Sequence, residues 1–149
     1  MLAVRKRILM NNMKLLSRFS LIVTLWLVVA SITPAALVVD VFPPKTTGSK
    51  AVVKLEMQNT FKEKIQSARA VCFLLDDQGQ MVGQSTKWVI GQNKTGLDAG
   101  ATNIFNFVVT SPQPFTTAKL TAKISFSRVV LDGGKLADPK TAVQIETGK

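Results

Sequence analysis

The chain has 149 residues, 46% of them hydrophobic, and a formal net charge of +10; that is enough for one domain and little more. It carries one cysteine, Cys72, and no histidine, which excludes an intramolecular disulfide, Ser-His-Asp and Cys-His catalysis, and most zinc and haem sites. The charge is unevenly placed: Arg5, Lys6, Arg7, Lys14 and Arg18 stand in residues 1–35 without one acid, leaving fourteen basic against nine acidic residues in the remainder.

Residues 19–32 form an uncharged apolar block, preceded by those basic residues and followed by Thr33-Pro34-Ala35-Ala36. Basic, apolar and small-residue regions in this order make a secretory signal, with cleavage expected near Ala35 and Ala36. Met13-Lys14-Leu15-Leu16-Ser17-Arg18 would also serve as the start of such a signal. The alternative is a retained hydrophobic helix that anchors the protein, extended through Leu37-Val38-Val39. Pro34 interrupts that longer stretch and suits a cleavage region better. In both cases the basic flank orients the rest of the chain away from the cytoplasm. The domain division is therefore a signal over 1–35 and a folded domain over 36–149.

The remainder reads as strands separated by turn residues. Leu37–Phe42 is β-prone and is stopped by Pro43-Pro44, and Lys45–Lys50 reads as a polar loop. Val53, Leu55 and Met57 alternate with Lys54, Glu56 and Gln58, the period of a half-buried strand. Asn59–Lys64 is a polar link. Residues 65–76 are apolar on both faces, which predicts a central strand covered at least in part on both sides. Asp76-Asp77-Gln78-Gly79 predicts a hairpin turn into a strand over Met81–Ile90. The segment 91–100 is a loop, and Thr102–Thr110 is a strand closed by Pro112-Gln113-Pro114. Leu120, Ala122, Ile124 and Phe126 then alternate with lysines, serines and a threonine. A one-residue slip there would drive lysines into the core. Asp132-Gly133-Gly134 turns the chain, and Val143 and Ile145 mark a last edge strand. No apolar stretch of helical period and adequate length follows residue 36. About seven short strands with turns at such spacing predict an all-β, antiparallel sandwich.

The run Asn59, Ile65, Ala68, Val71, Phe73, Leu75, Asp77 and Gly79 resembles the FxLYD-like and related immunoglobulin-like domains of bacterial exported proteins. Phe73, Leu75 and Asp77 fall on the F-x-L-x-D positions, while Asp76 stands where that family has tyrosine. The resemblance spans about residues 50–110. It implies an immunoglobulin-like fold and an extracytoplasmic setting, and it brings no catalytic residues.

Little chemistry is on offer elsewhere. Cys72 lies in an apolar run and reads as a small core residue. The nine acids do not pair by spacing into a glycosidase-type dyad. Asp76-Asp77-Gln78-Gly79 offers carboxylates for calcium, yet lacks the downstream glutamate of an EF-hand and reads as a turn. The scattered lysines, without interleaved aromatics, read as solvated surface and not as a nucleic-acid interface. Asn93-Lys94-Thr95 is a glycosylation sequon. Trp88 is either core or a surface aromatic used in binding. The expectation is a non-enzymatic, cofactor-free binding or structural module of the cell envelope or extracellular space. Its partner would be a protein or polysaccharide, met through Trp88, Asn93 and Lys94, the loop 91–100 and the loop at Pro112–Pro114. The second reading is a membrane-anchored accessory subunit of an envelope complex; a small enzyme is a distant third.

Overall fold

The computed structural model describes residues 34–116 and 119–148. The signal or anchor helix expected over 1–35 lies, up to Thr33, outside the described residues. Pro34–Lys149 is one compact unit, and its described residues form nine strands in two sheets.

The first sheet holds β1 (Leu37–Val41), β2 (Lys45–Thr47), β3 (Lys50–Asn59), β6 (Thr102–Thr110) and β9 (Val143–Thr147). The second holds β4 (Ile65–Leu75), β5 (Met81–Ile90), β7 (Thr121–Leu131) and the two-residue β8 (Leu136–Ala137). In the first sheet β3 is central: β6 runs along one side, and β1 and β2 share the other. In the second sheet β4 is central, between β5 and β7. The two inner faces meet in one core that includes Val53, Leu55, Cys72, Leu74, Phe107 and Ile124. Sheets that present such alternating faces bury them against each other.

Alternation explains the strands that were expected. Ala51, Val53, Leu55 and Met57 of β3 are fully buried, while Lys50, Val52 and Gln58 face outward. On β7, Ala122, Ile124 and Phe126 point inward and the intervening lysine and serines outward. The parity then reverses: Val129 and Leu131 are the buried ones. A β-bulge at Ser127 causes the reversal, because Ala70 pairs with Phe126 while Arg69 pairs with Arg128. One extra residue bends the strand and moves later side chains to the other face.

Two expectations are corrected. Lys45–Lys50 is not simply a loop: Lys45–Thr47 pairs with Lys50–Val52 across a tight turn. Pro43-Pro44 only interrupts the ladder, since Phe42 N–H donates to Lys54 O (3.0 Å) just before it. All three residues of β2 are exposed, so no alternation marks it. Next, the sandwich is not wholly antiparallel, since β9 runs parallel to β1, with Val39 opposite Ile145. The central position expected for β4 holds, with its outer face covered in part: Val71, Phe73 and Leu75 are half-buried, flanked by Gln84, Lys123 and Met81. A single helical turn, α1 (Pro139–Ala142), precedes β9 and is too short to leave a periodic trace. Asp138 caps it by accepting Lys140 N–H at 3.0 Å, with Pro139 at the first turn.

The crossing between the sheets is organised by one polar residue. Asn59, at the end of β3, is completely buried. Its Nδ2 donates to Glu63 O (2.9 Å) and Leu97 O (3.0 Å), and its Oδ1 accepts Phe61 N–H (2.9 Å). Its own backbone bonds Ala101 O and Gly100 N–H. The β3–β4 link and the β5–β6 loop are thus stitched to the same residue.

Replacing Asn59 by alanine leaves Glu63 O and the Phe61 N–H without this partner, while Leu97 O keeps its bond from Ile65 N–H. The expected loss is about 2–4 kcal/mol, read as a lower urea midpoint, because each buried unsatisfied group costs about 1–3 kcal/mol. Asn59→Asp keeps the acceptor but faces two carbonyl oxygens with a carboxylate. It is expected to cost at least as much at neutral pH, and equality with wild type would sink this account.

Candidate functional site

The residues singled out for processing and contact occupy separate places. Pro34 and Ala35 are exposed, but Ala36 is fully buried. Ala36 N–H donates to Thr60 Oγ1 (2.8 Å), and Ala36 O accepts both Thr60 N–H (2.9 Å) and Thr60 Oγ1–H (2.7 Å).

Trp88 lies on β5 opposite Arg69, whose guanidinium stands 5.9 Å from the ring centroid. At 39% exposure it is a surface aromatic and not a core residue. The contact is at the long end of a cation–π geometry, and it leaves an amphipathic ring presented outward. Asn93 and Lys94 form the tip of a turn closed by Lys94 N–H to Gly91 O (3.1 Å). Lys94 itself has φ 63, a left-handed conformation uncommon for lysine. No hydrogen bond, ion pair or ring contact among the described residues joins Trp88 to Asn93 or Lys94.

The loop bearing that turn is pressed onto β4. Gly91 has φ +84, and a Cβ there would sit 2.4 Å from Gln66 O, so both conformation and space require glycine. Further on, Ile65 and Leu97 exchange backbone hydrogen bonds at 2.8 and 2.9 Å. Leu97 is buried and its carbonyl also meets Asn59. The loop 91–100 is therefore a fixed feature. Beside it, Lys64, Gln66, Lys94, Gly96 and Asp132 line an open depression of about 360 Å³. Lys64 pairs with exposed Asp98 at 3.4 Å.

The reactive groups do not converge. Cys72 is fully buried on the inner face of β4, and burial pushes its thiol from the ordinary 9.0 up to about 11. A thiol held protonated at neutral pH is a poor nucleophile. Several acids are used locally. Asp76 Oδ1 accepts Gln78 N–H (2.9 Å) and Gln80 N–H (2.8 Å), which fixes the β4–β5 hairpin. Asp132 Oδ1 accepts Gly133 N–H (3.1 Å) and Asp138 caps α1. Glu56, Glu63 and Asp98 make exposed ion pairs with lysines, which contribute little. Among the described residues no group of three or more His, Cys, Asp or Glu side chains is placed to hold a metal ion. No helix among them is long and apolar enough to cross a membrane. The residue that sequence reasoning missed is Asn59. Its only signal was an asparagine where the alternation of β3 calls for an inward apolar residue.

No family model matches the chain. No curated protein matches it either. A solved structure does: the crystal structure of a Bordetella pertussis protein assigned as ApaA aligns with a TM-score of 0.53 at 15% identity, covering 70% of this chain and 87% of that one. At that identity the likeness concerns the fold alone.

Two expectations follow from this geometry. Gly91→Ala should destabilise the domain by about 2 kcal/mol or more, through strain at a left-handed position and overlap with Gln66 O, measurable by chemical denaturation. For Cys72, the folded thiol ionises later than the unfolded one, so its contribution is full below pH 9 and is lost as pH rises through about 11. The stability advantage of wild type over Cys72→Ala should shrink across that window. A constant difference from pH 8 to 11 would contradict it.

Proposed function

We propose that this chain is an exported, non-catalytic binding or structural module of the cell envelope or extracellular space, carried on an immunoglobulin-like sandwich. One coincidence carries the reading. The basic, apolar and small-residue segments of the leader end at Thr33–Ala36, and the compact unit starts at Pro34. A leader that stops where the fold starts leaves the domain intact when it is removed. The anchored Ala36 supports this, because its bonds to Thr60 hold the start of β1 whether or not residues precede it.

The non-catalytic part rests on chemistry. The one thiol is buried and protonated, several carboxylates are spent in turns, caps and exposed ion pairs, and no imidazole exists in the chain. What the domain does present is shape: an outward tryptophan, a rigid loop with Asn93 and Lys94 at its tip, and strand edges. Sandwiches use such features to meet protein or polysaccharide partners. The resemblance of residues 50–110 to FxLYD-like domains is in keeping with this setting.

The test is the intact mass and N-terminal peptide of the protein from fractionated host cells. The expected result is a mature chain starting near Ala36 in an extracytoplasmic soluble fraction. A retained N-terminus in the membrane fraction would favour the anchored subunit instead. An unprocessed chain in the cytosol would overturn both.

A further inference from the structure

The topology leaves one strand incomplete. In the second sheet β7 pairs with β4 along Thr121–Leu131; on its other side the only strand pairing among the described residues is with β8, at Val129 and Val130, and the single turn α1 packs beside Ile124–Phe126. Thr121–Arg128 therefore has no strand on that side among the described residues. In an antiparallel ladder the backbone groups turn alternately to either side. About half of the N–H and C=O groups of this stretch thus point into a gap. The strand across that gap, β9, belongs to the other sheet and is paired there with β1.

The gap is a track and not a flat wall. Thr121–Lys123 line a depression of about 370 Å³ together with Phe42, Pro43 and Pro44. The next three residues, Ile124–Phe126, line a second of about 230 Å³ with Pro139, Val143 and Ile145. Its floor is apolar. The charged residues on the two linings are Lys123 and Lys140, and no acid is among them.

We propose that the open edge of β7, Thr121–Ser127, docks an extended segment of a partner polypeptide that alternates apolar and acidic side chains. The inference rests on the reading of this domain as a binding module. Each requirement on the occupant comes from a separate feature. Unpaired backbone groups call for an extended chain that continues the sheet. Such a strand alternates its side chains, so every second one falls over Ile124, Phe126 and Ile145. The others lie beside Lys123, where a carboxylate directly opposite is favourable and a like charge unfavourable. A second copy of this chain fits less well, since pairing β7 with itself sets two Lys123 side chains on one face.

The experiment uses the full chain with two synthetic peptides, one alternating valine and glutamate, the other valine and lysine. Backbone hydrogen exchange reports which edge is covered. Exchange at Thr121–Ser127 is expected to slow with the glutamate peptide, which should bind about tenfold more tightly than the lysine peptide. Lys123→Glu combined with Lys140→Glu should reverse that preference without moving the unfolding midpoint, since both side chains are exposed. Absence of slowing at Thr121–Ser127, or slowing confined to β5 or β6, overturns the proposal. Slowing that rises with protein concentration in the absence of peptide assigns the edge to a second copy and also overturns it. Loss of this proposal leaves the exported-module reading standing if the mature chain still starts near Ala36. An unprocessed cytosolic chain that bound the glutamate peptide would do the reverse.

Discussion

The buried amide of Asn59 is the constraint on which the sandwich depends. A β-sandwich must pass its chain from one sheet to the other, and at each crossing backbone groups leave the ladder. Here two crossings meet, the link from β3 to β4 and the loop from β5 to β6. Asn59 supplies two donors and an acceptor to them at 2.9–3.0 Å. An apolar residue would bury as well and pair none of these groups. A charged one would pair some and leave a desolvated charge. Only a neutral side chain with both donor and acceptor meets the whole requirement, and every buried side-chain polar atom among the described residues does find a partner. Asn59 shares the placement of Leu97, and through it of the loop that carries Asn93 and Lys94, with the paired backbone of Ile65.

Legibility in the sequence tracked how strongly burial depends on position. β7 was legible because its lysines would be buried by any slip, so the alternation of Leu120 to Phe126 has one reading. β3 was legible for the same reason, through Val53, Leu55 and Met57. β2 was not, because its three residues are all exposed and pairing alone leaves no periodic trace. The Ser127 bulge was hidden because a parity reversal looks, in one dimension, like the end of a strand. The parallel pairing of β9 with β1 was out of reach for a deeper reason. Val143 and Ile145 show that one face is apolar, but direction and neighbour are settled by long-range packing. The sequence around Trp88 suits core and surface equally. Arg69 decides it from outside, and arginine–aromatic pairing across a strand pair is a three-dimensional fact.

The candidate site was legible mainly by exclusion. The missing histidine and the single cysteine narrowed the chemistry before any geometry was known, and the buried, protonated Cys72 narrows it further. What sequence could not supply was the arrangement of surface features, because exposed residues obey no periodic rule. The fold shared with the Bordetella pertussis structure does not supply it either, since a sandwich of this kind hosts unrelated functions. The discriminating information lies in edges and loops.

Of those edges, β7 differs from the rest in a way that follows from topology. Had β9 paired with β7, the second sheet would have gained a strand and the gap would be closed. Instead β9 completes the first sheet through β1, with Leu37 opposite Val143 and Val41 opposite Thr147. The cost is a bare edge on a strand whose inner residues, Ala122, Ile124 and Phe126, are already buried. Sandwiches usually blunt such an edge with short strands, prolines, bulges or inward charges. This one has its bulge only at Ser127 and β8 only at Val129–Val130, both beyond the apolar stretch, and beside Ile124–Phe126 it has only the single turn α1. Lys123 discourages self-pairing but leaves the backbone groups open. An edge guarded by charge against its own kind, yet left regular where the track is apolar, is selective about its partner and is not closed to one.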